Sequence, residues 1–298
     1  MHMNRRQFLS SAIAGAAGLA LAPGLFGAEA ANPFEIVTLG KTGIKTSRIC
    51  QGTGMSGGNR QSNHTRMGQE RFDALIKGGW ERGIRCFDAA DLYGTHPFLA
   101  QALKGIPREQ YTIMTKIWVR GGGIPERERP DANVVVDRFC KELNTDYIDL
   151  VLIHCMDSRD WTDQQKRQMD ILDAIKAKGV IKAHGVSIHS LSALKLCATT
   201  DWVDSVHARI NHEGVAMDGK PDEVAPVLKQ IHEAGKGVVG MKIMGEGRFK
   251  TDERKTKSVE YVMGLGCVDI LNVGFENVDQ IDDFSRRVKA VLAAKAAA

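Results

Sequence analysis

The feature that most constrains the fold of this chain is a regular alternation of short apolar runs with longer amphipathic stretches, which continues from residue 36 almost to the C-terminus. Short apolar runs bounded by turn residues are typical of buried strands, and stretches with a period of about 3.6 residues are typical of helices. Alternation of the two indicates right-handed βαβ units around a parallel sheet. Eight strands are predicted, at residues 49–51, 84–87, 112–115, 148–153, 181–187, 205–208, 238–241 and 269–273.

The number of repeats predicts a closed α/β structure, the (β/α)8 TIM barrel, preceded by an N-terminal β-hairpin whose strands at 36–39 and 44–49 flank Gly40-Lys41-Thr42-Gly43. A barrel of this type takes roughly 250 residues. The alternative is a doubly wound open sheet, which normally carries a G-x-G-x-x-G loop after its first strand. Residues 52–58 fit that pattern only loosely and precede a polar loop. Helices are predicted at 69–82, 133–143, 161–178 (with Thr162 as its N-cap), 222–234, 253–263 and 278–293.

Residues 1–30 are predicted to be a twin-arginine signal peptide. Arg5-Arg6 precedes an Ala/Gly/Leu-rich run at 12–21, and Ala28-Glu29-Ala30 is a small-x-small cleavage site. The apolar run is shorter than the roughly 20 residues that a membrane span needs. We therefore expect one barrel domain at 31–298. The twin-arginine export machinery would recognise the signal and place the protein in the periplasm or otherwise outside the cytoplasm. Once the signal is cleaved, the protein would be free of the membrane. An uncleaved N-terminal anchor is the alternative.

Composition excludes several other classes of protein. The chain of 298 residues is 43% apolar and 26% charged, unlike a disordered or low-complexity protein. Lys and Arg number 40 against 36 Asp and Glu, so no strong positive charge points to nucleic acid as a partner. The six cysteines include no C-x-x-C pair, and their apolar surroundings predict buried free thiols.

Polar residues with catalytic potential follow three of the predicted strands. Asp88, Lys116 and His154 each come directly after an apolar run, and Tyr93 lies five residues beyond Asp88. In a (β/α)8 barrel these strand ends share the face where catalytic residues lie. A Lys beside a Tyr is expected to lower the phenol pKa, which favours proton donation to a carbonyl oxygen. A neighbouring His can orient that carbonyl.

Around these residues, five segments resemble the aldo-keto reductase family, in family order and over nearly the whole chain beyond the leader. They are 39–43 (LGKTG), 83–94 (GIRCFDAADLYG), 115–118 (TKIW), 143–154 (LNTDYIDLVLIH) and 179–187 (GVIKAHGVS). With its leader, the chain resembles an exported form of such a reductase.

The resemblance implies an NAD(P)(H)-dependent enzyme without a metal. Such an enzyme reduces an aldehyde or ketone, or oxidises the corresponding alcohol, by hydride transfer, and a Tyr side chain is the proton donor. Asp88, Tyr93, Lys116 and His154 would be catalytic, with Asp88 and Lys116 tuning Tyr93, and Trp118 would line the substrate pocket. The small carbonyl substrate, whether aldehyde, ketone or sugar, is not specified. The cofactor contacts implied are Gly52, Thr53, Ser187, His207, Met241, Lys242, Gly274 and Gln280.

The cofactor positions depart from the family pattern. Ser187 is followed by Ile188 where Asn is usual, and His207 stands where Gln is usual. The positions that usually supply cations to the adenosine 2′-phosphate are Gly274 and Gln280, although such a phosphate needs positive partners. The choice between NADP(H) and NAD(H) therefore stays open, and the candidate substitutes for the missing cations are Arg248, Lys250 and Arg286.

Two other function classes remain as alternatives. The altered cofactor positions and the export signal favour a non-catalytic protein that binds a nucleotide or another ligand on a reductase barrel. A metal-dependent barrel hydrolase or lyase is the other, because several histidines would lie near one end of the barrel. These are His154, His184, His189, His207 and His212.

Overall fold

The computed structural model describes residues 31–297. Its first element is the predicted hairpin, in which β1 (Ile36–Thr38) and β2 (Lys45–Ser47) pair antiparallel. The predicted leader at 1–30 lies outside the described residues. Across the described part of the chain, no helix is both long and apolar enough to cross a membrane.

Eight parallel strands then form a closed barrel, as the alternation predicted. Neighbours in sequence are neighbours in the sheet, and the last strand pairs with the first through Leu271 and Ile49, so the open-sheet alternative is excluded. The strands are β3 (Ile49–Gly52), β4 (Cys86–Asp88), β5 (Thr112–Ile117), β6 (Ile148–Met156), β7 (Ile181–Ile188), β8 (Ser205–Arg209), β9 (Gly237–Met241) and β10 (Ile270–Val273).

Helices cover the outside of the barrel, and four of the six predicted helices begin and end within two residues of their predicted limits, whereas the last helix ends at Ala297, four residues beyond its predicted end. Their bounds are α1 (Asn63–Arg66), α2 (Gln69–Arg82), α3 (His96–Ala102), α4 (Ala132–Leu143), α5 (Trp161–Gln164), α6 (Lys166–Ala177), α7 (Leu191–Cys197), α8 (Pro221–Glu233), α9 (Asp252–Gly264) and α10 (Val278–Ala297).

The helix predicted at 161–178 is the main exception. The structure has two helices there, which meet at Gln165, whose φ of −107° and ψ of 10° interrupt the helical geometry. The N-cap of the first of them is Asp160 rather than Thr162. Trp161 is fully buried, and its indole Nε1 donates to the carbonyl of Ala193 at 3.4 Å. This contact joins residues 32 positions apart in the sequence, so the local helical periodicity does not predict it.

The short helices α1, α3 and α7 were not predicted. Each has four or seven residues, too few to establish a helical period. α7 nevertheless carries a local start signal, because the side chain of its N-cap Ser190 accepts a hydrogen bond from the backbone of Ala193.

The inside of the barrel is apolar toward the hairpin end. Alternate residues of each strand face the interior, as required by the two-residue period of a strand. The inward-facing apolar residues pack with Leu39 and Ile44 of the hairpin segment, which closes this end of the barrel. They are Cys50, Cys86, Met114, Leu150, Leu152, Ala183, Val239 and Ile270.

Toward the carboxyl ends of the strands the interior becomes polar. On four strands the polar residue lies two positions after an inward-facing apolar one, and therefore on the same face. All of these side chains are buried. We call this set the polar layer: Asp88, Lys116, His154, Ser187, His207 and Asn272.

Candidate active site

The four residues predicted as catalytic converge at the polar end of the barrel. Asp88, Lys116 and His154 belong to β4, β5 and β6, which are adjacent in the sheet. Tyr93 comes from the short 3-10 turn Asp91–Tyr93 that follows β4. We refer to these four residues as the tetrad.

Lys116 and Asp88 form a buried ion pair. The Lys116 Nζ donates to Asp88 Oδ1 at 2.6 Å and to the carbonyl oxygen of Ala89 at 2.9 Å. The lysine side chain has no exposed surface and that of the aspartate is 4% exposed. Charged residues are buried in this way almost only when they are paired, and here each charge has its partner.

Asn272 completes the surroundings of Asp88. Its Nδ2 donates to Asp88 Oδ2 at 2.8 Å, and the Nδ1 of His207 lies 3.7 Å from Asp88 Oδ1. The prediction from sequence missed Asn272. A signal was present, because it is a polar residue at an inward-facing position of an otherwise apolar strand.

Tyr93 lies against His154, and the ammonium group of Lys116 lies over its ring, 5.1 Å from the ring centroid. The phenol oxygen is 3.4 Å from His154 Nε2, and the two rings meet edge to face. Burial, and then the charge of Asp88, raise the pKa of Tyr93 well above its ordinary value. The expected lowering of the Tyr93 pKa is therefore not found, because burial and the charge of Asp88 both act in the opposite direction.

His154 is held in its neutral form. Burial, and then the charge of Lys116, lower the pKa of its imidazole well below the ordinary value. An uncharged imidazole beside an un-ionised phenol offers hydrogen-bonding groups without a full charge. The pair is suited to binding a neutral, polar oxygen such as that of a carbonyl group.

The turn that carries Tyr93 is held by a separate set of ion pairs. The buried carboxylate of Asp91 receives Arg60 at 3.0 Å and Arg138 at 2.6 Å, one on each oxygen. Gly94 ends the turn at a φ of +67°. The backbone around Tyr93 is therefore constrained on both sides.

Trp118 lies beside His154, as the substrate-pocket prediction requires. The two rings meet edge to face with centroids 5.3 Å apart. The indole Nε1 donates to the carbonyl of Gly122 at 2.7 Å, which holds the following loop back against the ring.

A cavity of about 580 Å³ extends from the tetrad to the start of α10. This lies within the usual size range of ligand pockets. Asp88 and Tyr93 line one end, and Asp283 and Phe284 line the other. Five of the eight predicted cofactor residues line it, namely Gly52, Met241, Lys242, Gly274 and Gln280.

The other three predicted cofactor residues are buried. The Thr53 hydroxyl donates to the carbonyl of Asp88 at 2.9 Å, and Ser187 Oγ accepts from the backbone of Cys155 at 2.9 Å. Neither ring nitrogen of His207 has a partner among the described residues, and burial lowers the pKa of this imidazole to about 3.

Charges of both signs line the cavity away from the tetrad. Of the candidate substitutes for the missing cations, Lys250 lines it, whereas Arg248 is 3.4 Å from Glu246 and Arg286 is 2.6 Å from Asp283. Lys242 and Lys255 add positive charge. Acidic side chains line the same space, namely Glu246, Glu276, Asp279 and Asp283.

Two of the five histidines considered as metal ligands have other partners. His184 stacks on Trp202 with ring centroids 4.2 Å apart and bonds to Asp173, while His212 contacts Glu213. Within residues 31–297, no three His, Cys, Asp or Glu side chains form a group that could hold a metal ion. The metal-dependent alternative gains no support from this part of the chain.

Comparison with known proteins adds the following similarities. The model of the aldo/keto reductase family matches residues 48–282. "Probable aldo-keto reductase 1" of Glycine max is 26% identical over 229 residues, which cover 72% of this chain and 61% of that protein. The chain thus spans less than two thirds of that relative.

Two solved structures are similar in fold. A putative aldo-keto reductase from Pseudomonas aeruginosa superposes with a TM-score of 0.70 at 23% identity, covering 91% of this chain and 98% of the other. An aldo-keto reductase from Klebsiella pneumoniae in complex with NADPH gives 0.63 at 14% identity, covering 88% and 93%.

Proposed function

The chain belongs to the aldo/keto reductase family, and from this premise we propose that it is a nicotinamide-dependent oxidoreductase that reduces an aldehyde or ketone, or oxidises the corresponding alcohol. The observation that carries the proposal is the tetrad of Asp88, Tyr93, Lys116 and His154 at one end of the long cavity. The NADPH bound by the similar Klebsiella pneumoniae protein supports the choice of cofactor class.

The residues of the cavity fit a nicotinamide dinucleotide. Asn272 lines the end near the tetrad, and its buried Oδ1 has no partner among the described residues, so it is a free acceptor for an amide group. Lys250 offers positive charge to phosphate groups, Lys242 lines the cavity but is paired with Glu246, and Gly52 and Gly274 expose backbone. The acidic side chains at the far end leave both NAD(H) and NADP(H) as candidates.

Each member of the tetrad has a proposed role. A nicotinamide cofactor held in the cavity by Gly52, Lys250, Asn272 and Gly274 would supply the hydride chemistry in either direction. A phenol is protonated at neutral pH, so Tyr93 holds a proton that it can give to the carbonyl oxygen. Neutral His154 donates a hydrogen bond to the same oxygen. The buried Lys116–Asp88 pair lies beside the two rings and helps to hold them in place.

Replacement of Tyr93 tests the proton-donor role. We expect Tyr93→Phe to lower kcat for carbonyl reduction by about 10²–10⁴, because the variant keeps the ring but loses the transferable proton. Turnover of a panel of aldehydes is followed by NADH and NADPH absorbance. Titration of tryptophan fluorescence should give nearly the same Kd for both nucleotides as in the parent protein.

Tyr261→Phe is the matched control, since this hydroxyl bonds the carbonyl of Pro221. Undiminished turnover in Tyr93→Phe would exclude Tyr93 as the donor. A parent protein that binds either nucleotide but turns over no carbonyl would favour the non-catalytic ligand-binding alternative.

We also propose that residues 1–30 direct export through the twin-arginine pathway, on the basis of their sequence alone. In a bacterial host, replacement of Arg5 and Arg6 by Lys should leave the protein in the cytoplasmic fraction at full length. The parent chain should appear in the periplasmic fraction, shortened after Ala30. Equal distribution of the two proteins would contradict the proposal.

A further inference from the structure

The carboxyl ends of β7 and β8 place two more polar side chains above the polar layer. His207 faces the barrel interior, where it approaches Asp88. Arg209 follows two residues later, so it lies on the same face and nearer the open end. By the same reasoning His189 lies above Ser187. Arg209 is the last residue of β8, and its side chain is 20% exposed.

These side chains form a continuous set of contacts that reaches the tetrad. Arg209 Nη2 lies 2.5 Å from His189 Nδ1, and His189 Nε2 lies 3.2 Å from Cys155 Sγ. Cys155 directly follows His154 and has a φ of +61°, at a point where the pairing of β6 with β7 shifts register. We call Cys155, His189 and Arg209 the rim cluster.

The charge of Arg209 is incompletely compensated within this cluster. His189 is neutral, because burial and the charge of Arg209 lower its pKa to about 3. The one ion pair of Arg209 in the described part of the chain is with the nearly buried Asp218, to whose Oδ1 the Nη1 donates at 3.2 Å. The buried Nε of Arg209 has no partner among residues 31–297. A guanidinium group has five N–H donors, so several remain for a ligand.

A second arginine lies on the same side of the tetrad. Arg120 Nη1 donates to the carbonyl of Cys155 at 3.1 Å, and its Nη2 contacts the half-exposed Asp157. The charge of Arg209 acts to lower the pKa of Tyr93, and that of Arg120 acts to lower the pKa of His154. Both cations are therefore close enough to act on the residues that would hold the carbonyl group.

From this geometry we propose that Arg209, assisted by Arg120, binds a carboxylate group carried by the carbonyl substrate. This inference rests on the proposed function and specifies its substrate class as carbonyl compounds that bear an anionic group. Arginine is suited to the task, because its planar donors match the two oxygens of a carboxylate.

Isosteric aldehydes test the charge preference directly. The 2-, 3- and 4-carboxybenzaldehydes are compared with the corresponding nitrobenzaldehydes, since a nitro group has a similar planar shape but no net charge. Its stronger electron withdrawal activates the aldehyde, so intrinsic reactivity works against the preference for the carboxylate that we expect. We expect kcat/KM for at least one carboxylate isomer to exceed that of its nitro partner by about tenfold or more, as for a hydrogen bond to a charged group. A KM for every carboxylate isomer equal to or higher than that of its nitro partner would overturn the inference while leaving the proposed function intact.

Variants of Arg209 locate the effect. Arg209→Met should lower the ratio of carboxylate to nitro kcat/KM by about tenfold, and Arg209→Lys should retain part of it because the charge remains. Arg167→Met is the matched control, since that arginine is an exposed partner of Asp131. Thermal unfolding confirms that the variants are folded. An unchanged ratio in Arg209→Met, or a loss seen only in NADPH or NADH affinity, would show that Arg209 does not bind the substrate carboxylate.

Direct binding separates this inference from the proposed function. If none of the aldehydes is turned over with either nucleotide, the proposed function fails. Calorimetric titration with 4-carboxybenzaldehyde and 4-nitrobenzaldehyde then still decides the inference. Tighter binding of the carboxylate that Arg209→Met weakens about tenfold supports the arginine site, whereas absence of carboxylate binding overturns it.

Discussion

Buried polar residues determine the chemistry at the scale of the single side chain. Asp88 receives Lys116 and Asn272 on its two oxygens, so the pair of opposite charges is compensated inside the barrel. His154 and His207 lie beside this pair and stay neutral, because burial penalises their charged forms. The polar layer thus contains one ion pair among neutral, hydrogen-bonding groups.

The neutral state of His207 predicts a pH dependence of stability. Its pKa is about 3 in the folded protein and near 6.5 when exposed, so between these values the unfolded chain binds a proton that the folded chain does not. The free energy of unfolding should therefore fall as the pH drops below about 6.5, by up to about 1.4 kcal/mol per pH unit from this residue.

His207→Gln should remove this contribution and keep most of the volume. Urea unfolding between about pH 6 and pH 4 should show a slope smaller than that of the parent by up to about 1.4 kcal/mol per pH unit. Identical slopes for the two proteins would mean that the imidazole gains its proton in the folded state as readily as in the unfolded chain.

Among the elements, the short turn after β4 has the largest influence on the site. It carries Tyr93, and it is held by the Asp91 ion pairs and ended by Gly94. A Cβ at Gly94 would lie 2.1 Å from the carbonyl oxygen of Arg60. The position of the phenol therefore depends on close backbone packing as well as on charge.

Gly94→Ala tests this dependence, with Gly105→Ala as its matched control. Both glycines have positive φ, but a Cβ at Gly105 would meet nothing within 4 Å. Each variant pays roughly 1–2 kcal/mol for a left-handed conformation. We expect only Gly94→Ala to lose more stability than this in urea unfolding and to lower kcat/KM at least about tenfold. Equal effects of the two substitutions would show that the turn tolerates the displacement.

At the scale of the whole molecule, closure of the barrel brings the first and last elements of the barrel into contact. β10 pairs with β3, and α10 lies against α2. We call the contact between α10 and α2 the seam. Both apolar packing and an ion pair contribute to it. Ile281 of α10 is fully buried near Gly79, whereas Arg82 and Asp282 pair at the surface at 2.5 and 2.9 Å.

Apolar packing should dominate the stability of this seam. Ile281→Ala is expected to lower the free energy of unfolding by about 2–5 kcal/mol, because it leaves a cavity in a closed interface. Arg82→Met should cost less than about 1 kcal/mol, since exposed ion pairs contribute little. Chemical unfolding of both variants measures the difference. If Arg82→Met lowered the free energy of unfolding more than Ile281→Ala does, the ion pair rather than apolar packing would dominate the stability of the seam.

The sequence by itself determined the barrel, its eight strands and the identity of the tetrad. These follow from local patterns, because a buried strand needs an apolar run and a polar residue at its carboxyl end marks the open face. Only the tertiary structure decided how those residues act on one another. It brought Asn272 to Asp88, paired Lys116 with Asp88, raised the pKa of Tyr93 and placed Arg209 beside His189. It also split the helix at Gln165. Burial and electrostatic interaction depend on neighbours that are distant in the sequence, so no local pattern contains them.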